Sequence, residues 1–576
     1  MPDEIARAIL QRQSELESVR SSYEGVWERV AEFCAPDAPE MNWRGRGMDK
    51  TGQAERHDRR SSLIYDTTII SAVDRLTAGL ESLITPQSEK WHGISTAAID
   101  DEETDEEKEW AEDVRDFLFG MRYSSTSNFV PAIQAVYENV VRFGPAYLYA
   151  EEGFGSALIR YASIPVNEGF IARNRWGEVD IFHRRYERTA REIAQLLHSQ
   201  GKPLPRSVAK LVNDRDPAKA LTKMTVVQAI EPRNERRTYS LAGERIYLDS
   251  PFVSRHVLED DQEVILDKPF ASFPISVFGW KREPGDTYGT SPVIKALTTV
   301  AELNAVRHSG LRALQQITDP ATATAADLDY VPVLNPGANY AGMLDDSGRP
   351  LIAPINTGQN PSYAFEYATQ RANDINEMLY VNLFQTLVQN PQMTATEALI
   401  RQEEKGALLG PAGSVIQSGF SSNLDREMAI LEAKGLYEDG SRFVPPESLA
   451  GKDIRPVFTS PLDVLRRSAE ARDTLTVIQT AVQMAQADPT IMDMIDSEEA
   501  LRVIQSAGRS PQRVFRRKEE IDKIRQDRAQ QAQAAQGMAA IGQMAQVAKD
   551  GAGAAKAAND AGVLDAVRTA AGAYSA

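Results

Sequence analysis

The sequence predicts an α+β protein in which helix outweighs strand, and three features of its 576 residues lead there. Apolar residues recur at three- and four-residue steps up to Gly144 and again from Ser291 onward, the period of amphipathic helices. Between these regions lies a block of short β-branched and aromatic runs punctuated by Gly, Pro, Asn and Asp, the mark of an antiparallel sheet. No apolar run approaches the ~18 to 20 residues that a membrane span requires, and the start, MPDEIARAIL, lacks the charged-then-apolar plan of a signal peptide. Charged residues at 25% and hydrophobic residues at 42% are ordinary for soluble protein. A chain of this length should divide into about three to five modules.

Residues 4–34 carry Leu16, Val19, Tyr23, Val26, Trp27, Val30 and Phe33 at helical spacing, which predicts a long amphipathic helix. A polar, basic loop follows, GRGMDKTGQAERHDRR, then a helix over 66–84 that stops before Pro86. The acidic run DDEETDEEK (100–108) precedes a helix over 110–121 and reads as a solvated charge cluster at its N-terminal end, where the helix dipole favours carboxylates. A further helix, 128–143, closes at Gly144-Pro145. The strands are AYLYA, SALIRYASI, GFIAR, EVDIFHRRY, TVVQAI, RRTYSLA, RIYLD, SRHVLE, EVILD and FPISVFGW, with one helix, TAREIAQLLHS, among them. This sheet region and the helices before it form one α+β module, 1–290.

Ser291-Pro292 is a cap followed by proline at the first helical position, and Asp319-Pro320 is a stop. The helix between them, 291–318, should be roughly 40 Å long at 1.5 Å per residue. A segment rich in Pro, Gly, Asn and Asp, 319–361, leads to a second long helix, 362–388, with Phe365, Ala368, Ala372, Ile375, Leu379, Leu383 and Leu387 along one side. Pro391 disfavours helix at Asn390, which makes Gln389, Asn390, Pro391, Gln392 and Met393 a short uncharged tip. Thr394 and Glu397 then fit a capping box. The helix they start should reach Leu436, kinked at Gly410-Pro411, and region 394–460 ends in DIRPVFTSP. Helix resumes over 461–528. The last stretch, 529–576, is rich in Ala, Gln and Gly, and both a marginal helix stabilised by assembly and a disordered tail fit it.

A net charge of −18 argues against tight general DNA binding, which needs an excess of Lys and Arg to neutralise phosphates; such a protein can still pass DNA without holding it. There is no GxxxxGK[ST] loop and no GxSxG elbow, and the six histidines lack metal-ligand spacing. DKTG at Asp49 to Gly52 matches the phosphorylated-aspartate motif of P-type pumps, but their membrane spans are missing. Carboxylates are plentiful enough for a two-metal nuclease site, yet nothing local singles out a pair. The expectation is a protein that is not an enzyme, with no catalytic, cofactor-binding or metal-binding residues. The one cysteine, Cys34, rules out an intramolecular disulfide framework, suits a reducing cytoplasm and reads as a small buried hydrophobe.

Several motifs, in order, carry a resemblance: Tyr23 and Trp27 with CAP at Cys34 to Pro36; YDTTIISAVDRLTAGLESLITP ending near Trp91; SIPVNEGFIARNRWGEVDIFHRRYERTAREI; WKREPGDTYGTSPVIKAL; MTATEALIRQEEKGALLGP with REMAILEAKGL; and FTSPLDVLRRSAE. Together they resemble the head-to-tail connector (portal) proteins of short-tailed bacteriophages. The resemblance implies a ring with a central channel at one capsid vertex, usually a dodecamer, through which double-stranded DNA is packaged and ejected. It further implies a terminase large subunit, scaffolding and major capsid proteins, and tail adaptor and nozzle proteins as partners, in the virion and, during assembly, in the host cytoplasm. The family plan has a wing, a two-helix stem, a clip and a helical crown. Mapped here, 1–290 is the wing, 291–318 and 362–388 the stem, 319–361 the clip, 389–393 the channel loop, 394–460 the long helix and return to the wing, 461–528 the crown, and 529–576 a barrel or tail. A DNA-packaging nuclease or ATPase subunit, or a head protein without a channel, are the other readings.

On that plan Gln389 to Met393 project into the channel as a ring of neutral amides, a steric constriction rather than a phosphate clamp; an ordinary helix–helix turn is the alternative. A wheel of the first stem helix puts Lys295, Thr298, Thr299, Glu302, Ser309 and Gln316 on one face, opposite Val293, Leu297, Val300, Leu303, Leu311 and Leu314. Arg307 falls among the apolar positions. A buried arginine needs a partner, and Asp374 or Glu377, within or between subunits, are the expected ones unless the side chain snorkels to an edge. In the clip, Asp319, Asp327, Asp329, Asp345 and Asp346 stand against Arg349. They form an acidic rim that repels DNA or docks a basic adaptor, or equally they are solvated loop aspartates.

Overall fold

The computed structural model describes residues 3–41, 58–95, 104–153, 157–233, 250–324, 338–355, 360–384, 395–438, 440–441, 443–449, 454–458, 475–484, 521 and 523–533, with backbone alone at 105 and over 395–406. Helix predominates over sheet. The N-terminal part runs α1 (Glu4–Cys34), α2 (Thr68–Ile84), β1 (His92–Ser95), α3 (Asp105–Arg122), α4 (Phe129–Arg142), β2 (Ala146–Glu152), β3 (Ile159–Ile164), β4 (Gly169–Arg173), β5 (Val179–Thr189), α5 (Ala190–Ser199), α6 (Arg206–Val212), β6 (Lys223–Pro232), β7 (Phe252–Leu258), β8 (Glu263–Phe270) and β9 (Ile275–Phe278). Then come α7 (Pro292–Thr318), β10 (Thr322–Thr324), β11 (Ile352–Pro354), α8 (Pro361–Met378), α9 (Ala395–Ala433) and β12 (Arg455–Phe458).

The caps explain where the helices start. Asp3 accepts the Ile5 N–H of α1 at 3.0 Å. Thr104 and Glu107 form a capping box on α3, and Thr189 and Glu192 form another on α5. Glu107 belongs to the acidic run read as solvated, yet it is fully buried, because its carboxylate turns back onto the Thr104 N–H at 3.1 Å. All pairings within the sheets are antiparallel: a meander β4-β5-β6-β7-β8, a three-stranded sheet β3-β2-β9, and the pair β1-β12. The expected strands RRTYSLA and RIYLD lie outside the described residues.

One helix bridges two cores. Near its start, Ala6 and Ile9 of α1 pack on Val227, Ala229 and Val257 of the meander. About five turns on, Trp27, Val30, Ala31 and Cys34 enter the main core with α2, α4, β2, the base of α7 and α9. Trp27 satisfies its indole N–H on the Phe143 carbonyl at 3.0 Å. A second cluster joins Trp110, Val114 and Leu118 of α3 to Leu424 and Leu431 of α9.

Between these clusters lies a buried polar network. Arg122 donates to both carboxylate oxygens of Glu427, Tyr161 and Asn423 each donate to Glu427 at 2.6 Å, and His92 sits 3.0 Å from the Arg122 guanidinium. Burial and then the Arg122 charge hold the His92 imidazole well below its usual pKa. The network ties α9 to α3, β1 and β3, so α9 is fastened to the N-terminal module by charge-assisted bonds as well as by apolar packing.

One expectation for the later helices changes. The second long helix is interrupted after Met378, because Tyr380 takes a left-handed φ of 58° that breaks the hydrogen-bond ladder; helix resumes over 381–384, and 385–388 lie outside the described residues. The break turns Leu379 and Val381, both fully buried, into the core, and sets Tyr380 6.2 Å from the Trp280 ring. The helical stretch that follows, 381–384, lies so close to α2 that a Cβ on Gly79 would clash with the Phe384 ring. The α9 helix runs 39 residues with Gly410-Pro411 inside it, which agrees with the single helical stretch expected there.

Candidate functional site: the two-helix arm

Helices α7 and α8 pack side by side as an arm joined through the segment that carries β10 and β11, two three-residue strands paired antiparallel. The start of α7 is as the sequence predicts: Ser291 accepts the Ile294 N–H at 3.0 Å, and Pro292 follows at the first helical position. Across the arm, Gly310 faces Ala364 and Phe365 at ordinary contact distance, while Glu302 accepts from Tyr367 at 3.3 Å and lies 4.0 Å from Arg371.

Burial divides α7 along its length. Val293, Leu297, Val300 and Leu303 are buried in the main core. The same apolar side then runs out from under the body, leaving Leu311 and Leu314 each 41% exposed and Ile317 51% exposed. On α8, Tyr363 is 72% and Tyr367 38% exposed. Of the polar face, Lys295, Thr298, Glu302, Ser309 and Gln316 are exposed and Thr299 is half-buried.

Arg307 finds a different carboxylate from the two expected. Its Nε donates to Asp66 at 3.0 Å, while Asp374 takes Arg371 at 3.3 Å on its own helix. Asp66 also accepts the Thr68 N–H at 2.8 Å, so one carboxylate caps α2 and holds α7. The neighbouring residues extend the contact. Asn304 donates to the Leu63 carbonyl at 2.8 Å and accepts the Tyr65 N–H at 2.7 Å, and the Tyr65 ring stacks on His308 at 4.2 Å. Residues 63–66 thus form a strap across the helical face 304, 307, 308. The sequence reading overlooked Tyr65, Asp66, Asn304 and His308; the one signal present was three polar side chains at i, i+3 and i+4 on an otherwise apolar side.

In the joining segment, Asp319 and Asp346 are exposed, but Asp345 is committed to a turn. It accepts the Arg349 N–H at 2.7 Å and the Ser347 N–H and hydroxyl at 2.9 Å, and these bonds hold its carboxyl below the usual range. Asp327, Asp329, Gln389, Asn390, Pro391, Gln392, Met393 and the Thr394–Glu397 capping box lie outside the residues or side chains described, as does most of 461–576. Among the described residues no group of three or more His, Cys, Asp or Glu is placed to hold a metal ion, and no helix is long and apolar enough to cross a membrane.

The sequence profile of the family described as "Bacteriophage head to tail connecting protein" matches residues 6–515. The chain belongs to that family. It is 25% identical over 508 residues to the "Probable portal protein" of Bordetella phage BPP-1, covering 85% of each chain. It is likewise 25% identical over 532 residues to the "Portal protein" of Salmonella phage epsilon15, covering 90% of each. A chain from the "Virion of native gene transfer agent (GTA) particle" aligns with 13% identity and a TM-score of 0.35, over 76% of this chain and 89% of that one.

Proposed function

We propose that the chain is a portal subunit: copies close into a ring at one capsid vertex, and double-stranded DNA passes through its channel during packaging and ejection. The subunit contributes geometry rather than chemistry, and a terminase motor supplies the work before the tail adaptor and nozzle dock. Membership of the connector family and two relatives named as portal proteins support this reading. The observation that carries it is the arm, on which Leu311, Leu314, Ile317 and Tyr363 stand uncovered along two helices. Exposed apolar side chains in a row favour association, and a head-to-tail interface that closes gives a cyclic oligomer of the kind a channel needs. The polar face of α7 is then the side left for the lumen. Light scattering coupled to gel filtration tests the reading: a single species near twelve times 63.6 kDa is expected, and a monomer at micromolar concentration and physiological salt would contradict it.

A further inference from the structure

Two surface features away from the arm complement each other. The first is a knob at the tip of the β4–β5 hairpin. Trp176 is 72% exposed there, with the Arg175 guanidinium stacked on its ring at 4.5 Å. The tip that carries it is rigidly built. Asn174 accepts the N–H groups of Trp176 and Glu178 at 2.9 and 3.0 Å, and Gly177 turns the chain at a φ of 84°. The Gly177 carbonyl accepts from Arg173 at 2.9 Å and from Arg282 at 3.1 Å, which fastens the tip to the body. A projecting tryptophan on a fixed turn, flanked by three arginines, combines the two residue types most enriched at binding hot spots.

The second feature is a groove of about 530 Å³ between α3 and the start of β3. Phe117, Met121, Leu158 and Ile159 supply apolar lining, Asp113 and Asp116 supply acid, and Ser124 stands at the side. Burial pushes the Asp116 carboxyl up, but bonds from Lys90 and Arg115 outweigh this and hold it below the usual range, so it stays charged. The volume exceeds what an indole needs. Trp176 is not seated in this groove in its own chain, since its ring is open to solvent.

We propose that the groove receives Trp176 and Arg175 of a second copy of this chain, an apolar ring into the apolar lining and a guanidinium against the aspartates. A knob and a socket on one subunit make a heterologous contact, which is the kind that closes into a ring. This deepens the portal reading by adding a wing contact separate from the arm, and it rests on that reading.

Cysteine pairing tests it directly, because the native Cys34 is buried, which pushes its thiol up to about 12 and keeps it unreactive. The variant Trp176→Cys with Ser124→Cys, oxidised in the assembled state, should give a ladder of covalent oligomers on non-reducing gels. Either single variant should give none. In parallel Trp176→Ala, an exposed change that should leave the melting temperature within a degree or two, should raise the concentration needed for assembly at least tenfold, and Arg175→Glu should do likewise. Rings that form normally with Trp176→Ala and never cross-link would overturn the contact while leaving the ring reading intact. So would a groove that instead cross-links to a different head or tail protein. A wild-type chain that stays monomeric would overturn both.

Discussion

Arg122 and Glu427 form an ion pair with almost no solvent contact, and removing one partner leaves the other charge buried without compensation. Arg122→Ala or Glu427→Ala should therefore lower the unfolding free energy by about 3–5 kcal/mol in chemical denaturation. Replacing both by Met and Leu should cost distinctly less; a double variant as unstable as the singles would contradict the argument. His92 beside them makes stability depend on pH. Its folded pKa is depressed, so its contribution is intact above the unfolded value of about 6.5 and is lost as the pH falls below it, with a slope of at most about 1.4 kcal/mol per pH unit. His92→Gln should flatten the acid side of a melting-temperature profile, and an unchanged profile would remove His92 as the cause. At this scale the sequence was only partly legible. It signalled that Arg307 needs an acid, because the residue falls on an apolar side, but not that the acid would be Asp66, 241 residues away. Local spacing sees a neighbour on the same helix; a partner brought in by the fold leaves no periodic trace.

At the scale of elements, helical period placed α1 and period together with the Ser291-Pro292 start placed α7 almost to the residue. Period did not foresee the break after α8. The apolar steps continue through Leu379 and Leu383, but a left-handed Tyr380 is set by packing against Trp280 and cannot be read from spacing. The strap over 304–308 makes its own forecast. Asp66→Asn keeps an acceptor for the α2 start but removes the charge that holds Arg307, which should cost up to about 1 kcal/mol. It should also speed hydrogen exchange in the outer half of α7 while leaving 292–303 protected, because that half is not sheltered by the core. Uniform protection along α7 would show that the strap does not hold it. Residues 523–533 are helical but nearly all exposed, with few large apolar side chains to bury. Cutting the chain after Gln526 should therefore leave assembly intact. Failure to oligomerise would make the tail an assembly element.

For the whole molecule, symmetry multiplies small changes. On the portal reading Gln389 and Gln392 lie at the channel, and converting both to Arg adds a dense positive collar that should hold DNA after the motor stops, most strongly at low salt. The Glu variant should release DNA faster. Both should form normal rings and package less DNA, and wild-type packaging and retention in both would move residues 389–393 away from the DNA path. All of this depends on a closed ring with an open centre. The most direct test is averaged end-on electron micrographs of the purified chain without DNA or nucleotide. Uniform rings are expected, with cyclic symmetry and a central hole wide enough for a DNA duplex. Solid particles, open filaments or single subunits in the same images would contradict it.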